Sequence, residues 1–286
     1  MDVKTDVPLK ELTSFRIGGP AAFVVRPKTE SELCRALSAA EEAELPLRIL
    51  GNGTNVLAPD AGFPGLVLRL DAPFFPLLID GCTVHAAAGE SLARAAHASV
   101  AAGLSGMEGL EGIPGTIGGA CAMNAGAFGS EMKPILKRVR VYRGGEIADV
   151  TVRDENLGHR RSAFAAPSAI VLRAELVLAP DDGHAAERTA EFSRRRREKQ
   201  PLALPSAGSV FKRPAGHFAG GLIEQCGLKG LHIGGAEVSE KHAGFIVNMG
   251  GATEADVRAV VAEIQRRVLL DTGVQLEREL KYWDEV

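Results

Sequence analysis

Apolar residues near the start of the chain follow two patterns, one typical of strands and one typical of a helix. Short apolar runs predict strands at residues 21–25 and 47–50. Between them, Thr29 followed by Glu32 is the start signal of a helix, and the next apolar residues recur at helical spacing. This part of the chain is therefore predicted to be a β-α-β unit.

The same two patterns continue to the end of the chain. Further strands are predicted at residues 66–70, 83–88, 139–142, 146–152, 170–178, 245–248 and 274–283. Further helices are predicted at residues 91–102, 185–200 and 219–226, and from residue 253 onward. A chain of 286 residues is near the size, roughly 250–300 residues, at which single cores stop growing. We therefore predict two or three lobes, and a division into three falls at residues 1–64, 65–180 and 181–286.

Residues 103–129, here named the glycine segment, depart from both patterns. They carry nine glycines, at positions 103, 106, 109, 112, 115, 118, 119, 126 and 129. Such density requires left-handed dihedrals or another molecule close to the backbone, because glycine weakens helices and strands. A buried turn rich in alanine and glycine is the alternative. The turn sequences PGT and NAG favour a cofactor cradle outside the core, since turns present N–H groups to anions.

A second glycine-rich stretch, the GNGTN loop at residues 51–55, follows a predicted strand. It begins like the dinucleotide fingerprint G-x-G-x-x-G, but Val56 stands where the last glycine belongs. The next residues, APDAG, cannot open a long helix, so a Rossmann site is not predicted. A tight loop can still turn its N–H groups toward a pyrophosphate; a plain polar turn is the alternative.

Composition bears on several classes of function. With 33 Lys and Arg against 36 Asp and Glu, the formal charge is -3, so no basic field indicates nucleic acid. The four cysteines form no C-x-x-C pair and the seven histidines no H-E-x-x-H pattern, so we expect no metal. No apolar run has the length of a membrane span or signal peptide, so a cytoplasmic protein is expected.

Four consecutive arginines at residues 194–197 are the most basic run in the chain. Nucleic-acid binding is one interpretation. Glutamates at positions 187, 191 and 198 lie close enough for pairing along a helix, which favours a solvated helix face.

Reactive side chains stand beside unusual backbone at three other places. Ser209 lies in the sequence PSAGSVFK, Arg160 in HRRS, and Glu277 and Glu279 alternate with apolar or basic residues in LEREL, which places both carboxylates on one strand face. A turn serine, surface arginines and a solvated edge strand are the respective alternatives. None of the three defines a function alone.

Taken in order, these segments resemble the bacterial UDP-N-acetylenolpyruvoylglucosamine reductases, FAD enzymes of peptidoglycan precursor synthesis. The resemblance covers nearly the whole chain and is carried by the motifs F-x-I-G-G at residues 15–19, G-x-G-[ST]-N at 51–55, G-L-x-G-x-E-x-L-x-G-I-P-G from 103, N-A-G-A-x-G at 124–129, and then Q-P-L-x-x-P-S-A-G-S-x-F-K, G-L-K-G, G-G-A-x-V-S-x-K-H and L-E-x-E.

The resemblance implies an α+β fold: a two-lobed FAD-binding domain of the vanillyl-alcohol-oxidase-like (PCMH) type plus a C-terminal α+β substrate-binding lobe. It implies noncovalent FAD, NADPH as co-substrate and a nucleotide-sugar substrate. Hydride passes from NADPH to the flavin and then to the enolpyruvyl double bond. We expect a monomer with no nucleic-acid or membrane partner.

The resemblance also implies roles for individual residues. The proton donor falls on Ser209, and the other catalytic positions fall on Arg160 and Glu279. The cofactor-binding positions are Gly51, Asn52, Gly53, Thr54, Asn55, Gly115, Thr116, Gly118, Gly119, Asn124 and Gly126. The substrate-binding positions are Lys199, Arg213, Lys229 and His242.

The chain departs from the family pattern at two of these places. His159 stands where the family has tyrosine before the active-site arginine, and Arg213 stands where it has asparagine, which could add a charge contact to the substrate. The chain also has no room for the tyrosine-bearing loop of some members and resembles the shorter subtype. Two alternatives are another FAD-dependent oxidase of the same fold, acting on a sugar or alcohol, and a catalytically silent nucleotide-sugar binder.

Overall fold

The computed structural model describes residues 1–167 and 169–285, which form two compact units. Each unit is discontinuous in sequence: unit 1 comprises Met1–Thr5, Phe23–Asn52 and Gly65–Arg196, and unit 2 comprises Asp6–Ala22, Gly53–Pro64 and Arg197–Val286. The division into three lobes predicted from the sequence stays a prediction.

The helices and strands are as follows in chain order. The helices are α1 (Glu30–Glu42), α2 (Leu92–Ala101), α3 (Ile117–Met123), α4 (Met132–Ile135), α5 (Ala185–Lys199), α6 (Ala219–Gln225) and α7 (Glu254–Thr272). The strands are β1 (Asp2–Pro8), β2 (Pro20–Arg26), β3 (Leu47–Leu50), β4 (Val56–Leu57), β5 (Phe63–Arg69), β6 (Leu78–Asp80), β7 (Thr83–Ala87), β8 (Leu104–Ser105), β9 (Gly126–Ala127), β10 (Ser130–Glu131), β11 (Leu136–Arg143), β12 (Glu146–Thr151), β13 (Leu157–Gly158), β14 (Arg161–Ser162), β15 (Ile170–Val177), β16 (Ala179–Pro180), β17 (Ser206–Ser209), β18 (His232–Ile233), β19 (Ala236–Val238), β20 (Phe245–Asn248) and β21 (Lys281–Tyr282).

Unit 1 holds two hydrophobic cores. One lies between α1 and a four-stranded sheet of order β1-β2-β5-β3, in which β3 and β5 run parallel as the β-α-β pattern predicts. Helix α1 begins where predicted, because the Thr29 side chain accepts a hydrogen bond from the Glu32 N–H. The other core contains side chains from α2, α3 and a five-stranded antiparallel sheet of order β12-β11-β15-β7-β6. The β11–β12 hairpin turns at Gly144 and Gly145, which both have positive φ as a two-residue turn requires.

Unit 2 is built on a four-stranded antiparallel sheet of order β17-β20-β19-β18. Helices α6 and α7 supply apolar residues to its core. Thr253 and Asp256 cap the start of α7 reciprocally, and Gly273, at φ 73°, ends it. None of the helices among the described residues is long and apolar enough to span a membrane.

Two predictions about secondary structure were wrong. The strand predicted at residues 274–283 is reduced to a bridge between Arg278 and Phe211 and the two-residue strand β21. A regular ladder is broken there, because the N–H groups of Glu279 and Leu280 both donate to the Val210 carbonyl. The glycine segment, predicted to lie outside the core, contains α3 and contributes buried residues such as Leu110 to the second core of unit 1.

Candidate active site

The first two residues of the GNGTN loop, Gly51 and Asn52, lie beside the glycine segment in unit 1. The Asn52 side chain donates a hydrogen bond of 2.9 Å to the Pro114 carbonyl. A Cβ added to Gly51 would stand 2.6 Å from the Thr116 hydroxyl oxygen, which is closer than real Cβ contacts. Glycine at position 51 therefore lets the start of the GNGTN loop lie against the glycine segment within unit 1.

Most of the nine glycines in the glycine segment are explained by the protein itself. Gly103, Gly106 and Gly129 have positive φ, at 73°, 126° and 86°. An added Cβ would overlap the Ala127 carbonyl at Gly109 and would lie 2.9 Å from the Ala88 Cβ at Gly118. The sequence argument that a bound molecule accounts for the glycine density is thus unnecessary at these positions.

Gly119 differs from its neighbours. It is exposed, its φ is not in the left-handed region, and an added Cβ would meet only the Thr116 hydroxyl oxygen at 3.5 Å, an ordinary contact. The protein therefore does not require glycine here, and the exposed backbone leaves room for a molecule to lie against it. This position fits a bound cofactor.

The backbone donors of this loop are partly engaged. The N–H groups of Ile117 and Gly118 donate to the carbonyls of Glu90 and Ala88, and the Gly119 N–H donates to the Thr116 hydroxyl oxygen. Contacts of Gly118 and Gly119 with a cofactor would therefore use Cα and carbonyl surface. N–H donors for a pyrophosphate must come from earlier in the loop.

Asn124 ends helix α3 in the left-handed conformation, at φ 44°. Asparagine adopts this conformation more readily than most residues. Its buried amide donates to the Glu131 carboxylate (3.0 Å) and the Gly158 carbonyl (2.9 Å), and its oxygen accepts the Lys133 N–H (2.9 Å). The side chain is therefore occupied in fixing the backbone of the loop that follows, which contains Gly126.

Arg160 is bound to that same loop. It lies in the turn between β13 and β14 at φ 52°, and its guanidinium donates to the Gly126 carbonyl at 2.9 Å and to the Asn124 carbonyl at 3.5 Å. His159, the residue that departs from the family pattern, is exposed in the same turn. Unit 1 thus brings Arg160 to Asn124 and Gly126, from which it is 36 and 34 positions away in sequence.

The arginine run behaves as predicted at one position and differently at two others. Arg194 pairs with Glu191 at 2.9 Å along the helix, as a solvated face requires. Arg195 and Arg196 instead lie over the ring of Phe128, at 5.2 and 5.3 Å, and that ring stacks on Phe192. The solvated-face interpretation was wrong for these two residues, because the paired rings offer an apolar surface that guanidinium groups cover.

Arg196 also reaches the glycine segment. Its guanidinium donates to the Gly109 carbonyl at 3.4 Å, and a Cβ at Gly112 would overlap its side chain. Burial lowers the pKa of Arg196 from its usual range, with the carboxylate of Glu111 opposing that effect. Apart from the glycine at position 112, no pattern in the sequence indicates this contact.

In unit 2 the chain segments that carry Ser209 and Glu279 are joined by a backbone hydrogen bond. The Glu279 N–H donates to the carbonyl of Val210 at 2.8 Å, and Val210 is the residue directly after Ser209. The Asn55 side chain donates to the Glu279 carbonyl at 3.3 Å, and the Lys281 N–H donates to the Asn55 carbonyl at 3.1 Å. The second half of the GNGTN loop is therefore joined to the segment carrying Glu279. Ser209 is exposed and Glu279 is half-buried.

Ser14 holds the same loop to the serine strand β17. Its hydroxyl donates to the Ser206 carbonyl at 2.7 Å, and its N–H donates to the Gly53 carbonyl at 3.0 Å. A Cβ at Gly53, which has φ 65°, would overlap the Leu12 carbonyl. Glycine is required at position 53 for both reasons, and unit 2 places Gly53, Asn55, Ser209 and Glu279 on connected backbone.

His242 lies among the predicted substrate-binding residues of unit 2. Its Nδ1 accepts the Gly244 N–H at 3.1 Å, so the ring is neutral in this arrangement. Burial lowers the pKa of His242, and the positive charges of Lys229 and Lys199 lower it further. Lys229 itself pairs with Glu224 at 2.6 Å. His242 therefore lies within the electrostatic influence of Lys229 and Lys199, two of the other predicted substrate-binding residues.

The fourth, Arg213, is exposed on the loop after β17. Its guanidinium carbon lies 4.0 Å from the centroid of the Phe218 ring, and its Nε donates to the His217 carbonyl at 3.3 Å. Within residues 1–167 and 169–285, no group of three or more His, Cys, Asp or Glu side chains is arranged to hold a metal ion.

Comparison with known proteins defines first the class of protein. A family model described as an FAD binding domain matches residues 21–150, which contain the GNGTN loop and the glycine segment. The chain is thus an α+β protein with an FAD-binding domain. A second model, described as the UDP-N-acetylenolpyruvoylglucosamine reductase C-terminal domain, matches residues 200–283, which contain Ser209 and Glu279.

Curated relatives and a solved structure then define the family. The UDP-N-acetylenolpyruvoylglucosamine reductase of Alkaliphilus oremlandii is 44% identical over 281 residues, covering 98% of this chain and 92% of the relative. The Clostridioides difficile enzyme of the same name is 43% identical over 284 residues, covering 98% and 93%. The crystal structure of the Thermus caldophilus enzyme matches with a TM-score of 0.82, 37% identity and 99% of each chain. The chain belongs to the UDP-N-acetylenolpyruvoylglucosamine reductase family, which confirms the resemblance and the fold predicted from it.

Proposed function

We propose that the protein catalyses the NADPH-dependent reduction of the enolpyruvyl group of UDP-N-acetylglucosamine enolpyruvate to UDP-N-acetylmuramate. The observation that carries this proposal is the connection in unit 2 between the GNGTN loop, Glu279 and the backbone beside Ser209. It joins residues expected to contact a flavin to residues expected to act on the substrate. We assign the reaction to peptidoglycan precursor synthesis in the cytoplasm and to a monomeric enzyme.

The residues present fit FAD. Bound FAD would accept hydride from NADPH and deliver it to the enolpyruvyl double bond. We assign its contacts to the GNGTN loop, to the N–H groups of Gly115 and Thr116, and to the exposed backbone of Gly119. Neutral backbone N–H groups suit a pyrophosphate, because they donate hydrogen bonds to its negatively charged oxygens and no charged side chain has to be desolvated. Asn124 and Gly126 support this site by shaping the backbone around Arg160.

Ser209, Arg160 and Glu279 are assigned to the substrate. Reduction of the double bond leaves negative charge as an enolate beside a carboxylate, and that charge must be stabilised and then protonated. We assign the stabilisation to Arg160 and Glu279 and the proton to the Ser209 hydroxyl. A serine hydroxyl is a weak acid, so it can act only on a strongly basic enolate held in line with it.

Lys199, Lys229, His242 and Arg213 are assigned to the diphosphate end of the substrate. Ammonium and guanidinium groups form charge-assisted hydrogen bonds with phosphate oxygens. Lys229 would exchange its exposed partner Glu224 for a phosphate oxygen. A neutral His242 would donate from Nε2, because its Nδ1 already accepts the Gly244 N–H.

Anaerobic stopped-flow mixing tests the function. We expect NADPH to bleach the flavin absorbance of the FAD-loaded protein, and the enolpyruvyl nucleotide-sugar to restore it with formation of UDP-N-acetylmuramate. A flavin that bleaches but is not restored by this substrate contradicts the proposal. A flavin reduced by sugars or alcohols and restored by oxygen alone indicates an oxidase instead, and binding of the nucleotide-sugar without either colour change indicates a silent binder.

A further inference from the structure

One loop of unit 2 presents an aromatic ring to solvent for which the reaction steps give no role. Phe218 is 66% exposed. The Arg213 guanidinium carbon lies 4.0 Å from the ring centroid, and Arg213 is held there by its hydrogen bond to the His217 carbonyl. The exposed ring and the guanidinium therefore form one ordered surface element, unlike an isolated apolar side chain in water.

The place of this pair in the chain links it to the proposed substrate residues. Arg213 is four residues after Ser209, a span of at most about 14 Å in extended chain. Phe218 directly precedes helix α6, and a Cβ at Gly220 in that helix would lie 3.2 Å from the His242 ring. The pair is thus tied by short stretches of chain to Ser209 on one side and to the His242 cluster on the other.

We propose that Phe218, backed by Arg213, is the platform on which the uracil ring of the nucleotide-sugar stacks. This inference rests on the proposed function. One guanidinium covers one face of a ring, and the exposed part of Phe218 leaves room for a second planar group. Every nucleobase has a π-face suited to such stacking. A cation touching the platform also matches the substrate, in which a diphosphate is joined to the base through one ribose.

Replacement of Phe218 by leucine and by tyrosine tests the platform in the FAD-loaded enzyme. Leucine keeps an apolar side chain and removes the π-face, whereas tyrosine keeps the π-face. The probes are inhibition by uridine diphosphate and inhibition by inorganic pyrophosphate. We expect Phe218→Leu to lower the affinity for uridine diphosphate by about tenfold or more and to leave the affinity for pyrophosphate unchanged. Phe218→Tyr should bind both nearly as the native enzyme does.

Two results would overturn the inference. Unchanged affinity of Phe218→Leu for uridine diphosphate would show that the ring contacts no base. Equal weakening of the nucleotide and pyrophosphate would show that the ring only positions the cations. In either case a native enzyme that turns over the enolpyruvyl substrate still supports the proposed function, so the two failures are distinguishable.

A fluorescent variant tests stacking independently of turnover. The native Trp283 is only 4% exposed, so the indole introduced by Phe218→Trp is the one that a ligand can reach. We expect uridine diphosphate to quench this added emission and pyrophosphate to leave it unchanged. Equal response to both ligands, or no response to the nucleotide, would refute the platform.

Discussion

Replacement of Gly119 by alanine separates a cofactor contact from a requirement of the fold. An added Cβ meets only the Thr116 hydroxyl oxygen, at 3.5 Å, so the protein accommodates it. Because Gly119 lies in helix α3, alanine should stabilise the FAD-free protein by about 0.5–1 kcal/mol. The added methyl group would displace a cofactor lying against this backbone by more than about 1 Å. A gap of roughly 0.5–1 Å already removes a quarter to a half of the van der Waals attraction of each contact. We expect FAD affinity to fall at least about tenfold, or about 1.4 kcal/mol.

Thermal unfolding at a series of FAD concentrations measures both effects, because ligand bound to the native state raises stability with concentration. Gly118→Ala is the matched control. Its Cβ would lie 2.9 Å from the Ala88 Cβ, so it should destabilise the FAD-free protein by about 1–3 kcal/mol. Native-like FAD affinity in Gly119→Ala would refute the cofactor contact, and destabilisation equal to that of Gly118→Ala would refute the packing argument.

Three further predictions concern Asn124, Glu108 and His242. Asn124→Gly should lower the free energy of unfolding by about 2–4 kcal/mol, because three hydrogen bonds are lost. Asn124→Ala should lower it by about 1–2 kcal/mol more, because alanine is strained in the left-handed backbone conformation at this position. Equal unfolding free energies of the two variants would contradict this. Burial raises the pKa of Glu108, but hydrogen bonds from Arg188, Ser105 and Gly106 outweigh burial, and the net pKa is lowered. The free energy of unfolding should therefore decline as pH falls below about 4.5. Urea titrations should show a smaller decline in Glu108→Gln, which has no carboxylate to protonate. The pKa of His242 is lowered, so below about pH 6.5 the unfolded chain takes up a proton that the native ring resists. The unfolding free energy of the native protein should therefore fall there relative to that of His242→Gln. Parallel pH profiles of the two unfolding free energies would contradict this.

Local signals in the sequence were sufficient for the elements that they punctuate. Helices α1 and α7 begin at the predicted positions, with Thr29 and Thr253 as their N-caps. The Gly144-Gly145 turn joins the two strands predicted at residues 139–142 and 146–152. Helix α3 was missed because two of its seven residues are glycine and its stability comes from packing in the second core of unit 1. Strand β17, with the sequence SAGS, has no apolar pattern and exists through pairing with β20.

The candidate site shows the same division between local and distant information. Motif order assigned catalytic roles to Ser209, Arg160 and Glu279 without any geometry, and those roles stay predictions. It could not show that Asn55 binds the backbone of Glu279, because the two residues are 224 positions apart and the hydrogen bond depends on tertiary structure. Arg196 was assigned to solvent for a similar reason. Its guanidinium lies over the ring of Phe128, a residue outside α5 that the helical pattern of α5 does not reveal.

The role assigned to Ser209 is tested most directly by measuring the two half-reactions separately in Ser209→Ala. The half-reaction between NADPH and FAD forms no enolate, so its rate should stay near that of the native enzyme. Reoxidation by the enolpyruvyl substrate should slow by at least about 100-fold, as expected for loss of a positioned acid. Ser209→Cys should recover part of that rate, because a thiol at the same position can still donate a proton. Equal slowing of both half-reactions in Ser209→Ala would contradict the account and would mean that Ser209 only shapes the flavin pocket.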